Sequence, residues 1–187
     1  IRADKDGLIY QPIIGVHPNV AQIDFASMYP SIMVHHNISP ETLGRENAEQ
    51  GLIPQTLKPL LEKRLNLKEL IANLDERDCQ VKAMKQRAAA LKWLLVVCFG
   101  YLGYKNARFG KIESHEAVTA MSRELMLQAK EVAEDMGFTV LHMYVDCLFV
   151  QQEGFRRPSD FTLLMNAIEE KTGIPLLINT SFNIRGL

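Results

Sequence analysis

Two long apolar periodicities, placed back to back, constrain this chain more than any other feature. From Pro54 to about Asp75, Leu57, Leu60, Leu61, Leu65, Leu67, Leu70 and Ile71 recur at mostly three- and four-residue spacings, an apolar stripe along one side of a helix. From about Arg77 to Phe99 a second stripe is carried by Val81, Met84, Ala88, Leu91, Leu95 and Cys98. The linker between them, near Asn73 to Asp78, is short and polar. Helices joined so tightly lie antiparallel, as a hairpin.

The flanking segments are of a different kind. Gly7, Pro12, Gly15 and Pro18 punctuate an extended, turn-rich opening, and Val20 to Phe25 follows as a buried strand ending at Asp24 or just after it. Ser27 is placed to cap a short helix with Pro30 in its first turn, and Asn37, Ser39 and Pro40 end it. Beyond the hairpin, Gly100, Gly103 and Gly110 suggest a loop with short strands. A helix from Ser114 to Met136 is closed by Gly137. Phe138 to Tyr144 and Leu148 to Gln152 are strands joined by a tight reversal at Val145 to Cys147, a β-hairpin with Asp146 at its tip. A final helix, Ser159 to Thr172, leads through Gly173-Ile174-Pro175 into a last strand. This order is that of an α+β fold: an antiparallel sheet backed by helices, with the helical hairpin projecting from it.

Composition narrows the function classes. With 187 residues, 47% hydrophobic and 23% charged, the chain can bury one core and is neither disordered nor collagenous. It opens on Ile1 rather than Met, as a piece of a longer protein would. The longest strictly apolar run, Trp93 to Phe99, is far short of the roughly 18–20 residues of a membrane span, and nothing at the start has the form of a signal peptide. Cys79, Cys98 and Cys147 are widely separated and odd in number, which points to a reducing compartment and hence a cytoplasmic location. The net charge of −1 conceals segregation. Lys58 to Lys92 holds nine basic and five acidic residues, whereas Glu113 to Asp135 holds six acidic and two basic.

Asp24 and Asp146 both stand at strand ends, where a rigid sheet can present two carboxylates to divalent metal for phosphoryl transfer. The plainer alternative is a pair of turn aspartates. On the hairpin, Arg64 with Lys68 and Lys85 with Lys92 share faces suited to a triphosphate or a nucleic-acid backbone, or are simply solvated. Trp93, Phe99, Tyr101 and Tyr104 either stack on bases or pack in a core, the commoner fate of such residues. His35, His36, His115 and His142 have no metal-ligand spacing, and Cys147 has no activating neighbour in sequence.

D-F-A-S-M-Y-P-S-I, Asp24 to Ile32, resembles motif A of the family B DNA polymerases, D-x-x-S-L-Y-P-S-I, and H-N-I-S-P-E-T-L, His36 to Leu43, continues the likeness. The resemblance implies that Asp24 binds both catalytic metals, Mg²⁺ or Mn²⁺, and that Tyr29 lies under the sugar and excludes a ribose 2′-hydroxyl. It implies too that the backbone of Ser27 and Met28 holds the triphosphate. L-L-E-K-R, Leu60 to Arg64, is similar to the first fingers helix, with Arg64 gripping the triphosphate. Gln86 to Tyr101 is similar to motif B, K-x-x-x-N-S-x-Y-G, with Lys92 as its lysine, Phe99 as its tyrosine and Gly100 as its glycine, but with Val96-Val97 in place of Asn-Ser. Tyr144-Val145-Asp146-Cys147-Leu148-Phe149 resembles motif C, Y-x-D-T-D-S, with Leu148 standing where the family has its second aspartate.

The resemblance runs from about residue 20 to 178. It implies a palm in two parts, 1–53 and 101–187, around fingers at 54–100, with the amino-terminal, exonuclease and thumb regions absent. It implies primed template DNA and dNTP as partners, Asp24 and Asp146 as catalytic metal ligands, and nucleotidyl transfer impaired at Leu148 in a divergent branch of the family. The competing expectation is an inactive DNA-binding or scaffold paralogue, and a third treats the hairpin as an oligomerisation arm. At the end of the chain, N-T-S-F-N-I-R-G, Asn179 to Gly186, is similar to a short signature of carbamoyltransferases.

Overall fold

A computed structural model of the chain describes residues 6–45, 48–75 and 78–184. The expected helix start at Arg77 and the end of the Asn179–Gly186 motif, from residue 185 on, lie outside the described residues. In chain order the elements are β1 (Ile9–Tyr10), β2 (His17–Phe25), α1 (Met28–His35), α2 (Leu52–Asn73), α3 (Cys79–Leu102) and α4 (Ile112–Asp135). Then come β3 (Thr139–Tyr144), β4 (Cys147–Gln151), a 3₁₀ turn (Pro158–Phe161), α5 (Thr162–Thr172) and β5 (Leu176–Ile184). The chain divides into two compact units, Ile1–Met28 with Thr119–Leu187, and Tyr29–Val118. No helix among the described residues is long and apolar enough to cross a membrane.

The first unit is built on an antiparallel sheet in the order β1-β3-β4-β2-β5, which makes the fold α+β as expected. Period-two alternation gives the sheet two unlike faces. Ala21, Ile23 and Phe25 of β2 share one face with Leu148 and Val150 of β4 and are buried. The second half of α4 adds Leu125, Met126, Ala129 and Ala133 to this core, and α5 adds Leu164 and Ile168. Strand β2 starts at His17, three residues before the expected start, and Pro18 falls where its register with β5 is irregular, as a residue lacking an N–H requires. Gly173, at φ +69°, closes α5 with its N–H donating to the Glu169 carbonyl at 2.8 Å.

The second unit carries the helical hairpin. All six expected stripe residues of α3 are buried or half-buried, and Leu102 continues their spacing. That continuation explains a departure from expectation: α3 runs through Gly100, which costs about 1 kcal/mol in a helix, because stopping at Phe99 would leave Leu102 outside the stripe. The expected short strands between 100 and 111 are absent among the described residues. Successive turns, with Tyr104, Ala107 and Gly110 donating three residues back, take their place.

Helix α2 likewise continues through Pro59. Its first amides are satisfied from a distant loop: Asn37 Oδ1 accepts from Gly51 at 2.8 Å, and Glu41 Oε1 accepts from Leu52 at 2.6 Å. Asp78 caps α3, its side chain accepting from Gln80 N at 2.8 Å.

Candidate active site

The face of the sheet opposite the core carries the candidate chemistry. On β2, Gln22 and Asp24 alternate with the buried Ile23, so both side chains leave the sheet on this face. Asp24 stands directly opposite Cys147 of β4, and directly opposed residues share a face. Strands β3 and β4 are joined by the two-residue turn Val145-Asp146. Val145 adopts φ +56°, unusual for a β-branched residue and of a kind that persists where its surroundings over-determine it. Those surroundings are explicit. Val145 N–H donates to the Leu8 carbonyl at 2.9 Å, and the Asp146 carbonyl accepts from Phe25 N–H at 2.9 Å, tying the hairpin tip to the end of β2.

This arrangement gathers one carboxylate oxygen of Asp24, one of Asp146 and the Cys147 sulfur within 4.8 Å of one another. Asp146 is exposed, Asp24 half-buried and Cys147 buried. The Gln22 amide donates to Asp24 Oδ1 at 3.0 Å, fixing that carboxylate from its own strand. Burial pushes the Cys147 thiol up to about 12, and the Asp24 and Asp146 charges push in the same direction, so the sulfur is a neutral thiol at ordinary pH. Cys147 and Gln22 were not foreseen at this site. The signal for Gln22 lay in its i, i+2 relation to Asp24.

Leu148, which stands where the family has its second motif C aspartate, is 0% exposed and pairs with Ile23 on the core face. The turn takes Val145 and Asp146, the first residue of β4 is Cys147, and the next must therefore point away from Asp24.

Ser27 and Met28 follow β2 directly. Ser27 takes φ +56° rather than the extended backbone of an ordinary N-cap, and Met28 is buried. In the second unit, Tyr29 packs on Phe99 with ring centroids 4.3 Å apart, and Phe99 stacks on His115 at 4.2 Å. His115 was not anticipated; Gly103 leaves room for it, since a Cβ there would lie 3.0 Å from its ring. Arg64 lies among the buried residues of α2. It is 7% exposed on the buried stripe of α2 with Ile53, Leu57 and Leu61, and burial pushes its guanidinium below the usual range. Lys92 is exposed, as are Val96 and Val97. Core packing was the commoner expectation for the aromatic residues here, yet Trp93, Tyr101 and Tyr104 are exposed and only Phe99 is partly covered.

The family model for DNA polymerase family B matches residues 2–50 and 45–156. DNA polymerase 2 of Saccharolobus solfataricus is 40% identical over 184 residues, covering 92% of this chain and 26% of that protein. A DNA polymerase of Archaeoglobus fulgidus is 32% identical, with 96% and 25% covered. Among solved structures, the family B DNA polymerase of Pyrobaculum calidifontis superposes with a TM-score of 0.72 at 28% identity, over 98% of this chain and 27% of that one. The chain therefore spans about a quarter of the length of the relatives it matches. By sequence and by fold, it belongs to the family B DNA polymerases.

Proposed function

We propose that the chain is the palm and fingers portion of a DNA-directed DNA polymerase that binds primed template DNA and dNTP, with Asp24 and Asp146 as its metal-binding pair. The palm comprises residues 1–53 and 101–187, and the fingers residues 54–100. The meeting of Asp24 and Asp146 at the open end of a rigid sheet carries this reading. Two carboxylates are the donors that hard divalent cations take, whereas the neutral thiol of Cys147 is a poor ligand for Mg²⁺. Mg²⁺ or Mn²⁺ held there would supply charge stabilisation for phosphoryl transfer.

The chain's own residues set up the rest. Gln22 orients the Asp24 carboxylate. The strained turn and its two backbone bonds fix Asp146. Lys92, exposed on α3, neutralises triphosphate charge, and Tyr29, braced by Phe99, is held under the sugar. Leu148 stands where the family has its second motif C aspartate and leaves Asp24 and Asp146 as the carboxylate pair, so nucleotidyl transfer is impaired; the Val96-Val97 pair is the other departure from the family pattern.

Primer extension by the full-length protein containing this chain tests the reading, in Mg²⁺ and in Mn²⁺. Asp24→Asn and Asp146→Asn are each expected to lower the rate by on the order of 10²–10³, and unchanged extension by either would overturn it. The exposed Val96-Val97 pair, which offers no side-chain hydrogen bond, favours the second reading, a DNA-binding scaffold. A parent without extension, whose DNA binding ignores both Mg²⁺ and Asp24→Asn, would establish that one.

A further inference from the structure

The third donor beside Asp24 and Asp146 is a sulfur, and sulfur changes which cation the cluster takes. Cys147 and Asp24 are directly opposed on β4 and β2, so their side chains leave the sheet on one face. The sulfur and one oxygen from each carboxylate lie within 4.8 Å of one another. Around a tetrahedral ion, with metal–oxygen bonds of about 2.1 Å and a metal–sulfur bond of about 2.3 Å, donors sit about 3.4–3.6 Å apart. Small side-chain rotations therefore bring these three onto one ion. The backbone that carries them is already fixed: the strained Val145 and the bonds to Leu8 and Phe25 hold the hairpin tip, and Gln22 holds Asp24.

Asp146 is exposed, so solvent reaches the cluster. Three protein donors with a position left for water make an open zinc site rather than a closed structural one. Sulfur also discriminates among cations. Mg²⁺ takes oxygen donors in near-octahedral order, and a thiol adds nothing to it, whereas Zn²⁺ and Cd²⁺ take thiolate readily. In the structure the Cys147 S–H donates to the Tyr144 carbonyl at 3.4 Å. When the sulfur ligates, the S–H bond breaks, its electron pair forms the metal–sulfur bond, and the proton passes to solvent.

We propose that Asp24, Asp146 and Cys147 together bind a thiophilic divalent cation, Zn²⁺ or Cd²⁺, which occupies the carboxylate pair and excludes Mg²⁺ from it. The proposal deepens the polymerase reading by naming a cation that shuts the site, and it rests on that reading for the use of the same pair by Mg²⁺.

The test uses the full-length protein, reduced and freed of metal, with Cd²⁺ and Mn²⁺ as probes. Cd²⁺ is followed by its thiolate charge-transfer absorption in the ultraviolet, and Mn²⁺ by the electron paramagnetic resonance signal of the free ion. The first equivalent of Cd²⁺ is expected to raise the absorption and to release bound Mn²⁺. Tighter binding alone is not diagnostic, because affinity for any such donor set rises from Mn²⁺ towards the later metals. Cys147→Ser and Cys147→Ala isolate the share of the sulfur. Each should cost Cd²⁺ at least about 10- to 100-fold in affinity, the loss that follows removal of a mere supporting partner of a metal ligand. Each should also abolish the absorption of the first equivalent, while Mn²⁺ affinity stays within a few-fold of the parent. Cd²⁺ that displaces Mn²⁺ equally well in both variants, or absorption that they leave unchanged, overturns the proposal. Equal losses of both ions overturn it too, since the sulfur then acts only through the fold. If Asp24→Asn abolishes Mn²⁺ binding while loss of Cys147 leaves Cd²⁺ affinity unaltered, this proposal fails and the carboxylate pair of the polymerase reading stands. If the parent binds no Mn²⁺ while Cys147→Ser and Asp24→Asn each remove the Cd²⁺ absorption, the thiophilic site stands and the Mg²⁺ pairing fails.

Discussion

Leu148→Asp separates two accounts of the β3–β4 hairpin. If position 148 belonged to the metal site, the substitution would supply a missing ligand and raise activity. In the structure the Leu148 side chain is fully buried against Ile23 on the core face, so the introduced carboxyl enters the core instead. Losing a buried leucine removes about 2 kcal/mol of transfer free energy. Holding the new carboxyl neutral at pH 7, about three units above its ordinary value of about 3.9, costs up to about 4 kcal/mol more. The total, about 6 kcal/mol, rivals the whole stability of many domains. The sign with pH follows. Its folded-state pKa is raised, so the ionisation cost is absent below about pH 4 and grows as pH rises toward neutrality. Urea unfolding at both pH values reads this directly: a loss of about 2 kcal/mol in acid and about 6 at pH 7, with no gain in primer extension. A variant as stable as the parent at pH 7 that extends primers faster would refute the assignment of the two faces.

Two further outcomes follow from particular contacts. A Cβ on Gly51 would lie 2.6 Å from Ser39 Cβ and 2.9 Å from Thr42 Cγ2, so Gly51→Ala should cost about 1–3 kcal/mol by overpacking the start of α2; a thermal melt that does not move contradicts this. Because Cys147 is held protonated up to about pH 12, iodoacetamide at pH 8 should modify exposed Cys79 and spare Cys147 in peptide mass mapping. Its raised pKa also means that the native state loses stability above about pH 8.5, where the unfolded chain releases this proton first. Equal labelling of the two cysteines would contradict the buried, carboxylate-flanked position of Cys147.

What was legible in the sequence was what one period can encode. The 3.6-residue stripe from Val81 to Cys98 located the hairpin seam because a single face of α3 does all the packing against α2. The alternation around Asp24 located its strand, and the motif spacing located Asp146. What was illegible depends on where a period starts or stops. Motif letters alone placed residue 148 at the site, but the length of the turn decides which face each residue of β4 takes, and a two-residue turn put Leu148 inside. Arg64 carries charge, yet its place on the stripe of Leu57 and Leu61 buries it. Gly100 signals a break, and the demand to bury Leu102 overrides it. Trp93 has the chemistry of a core residue, and only its position opposite the seam of α3 leaves it exposed.

The most direct test of the central claim is Mn²⁺ binding to the full-length protein, followed by the electron paramagnetic resonance signal of the free ion. If Asp24 and Asp146 form one divalent site, the parent depletes the free-ion signal and Asp24→Asn and Asp146→Asn each abolish the same class of binding. Depletion that persists undiminished in either variant would contradict the pairing of these carboxylates.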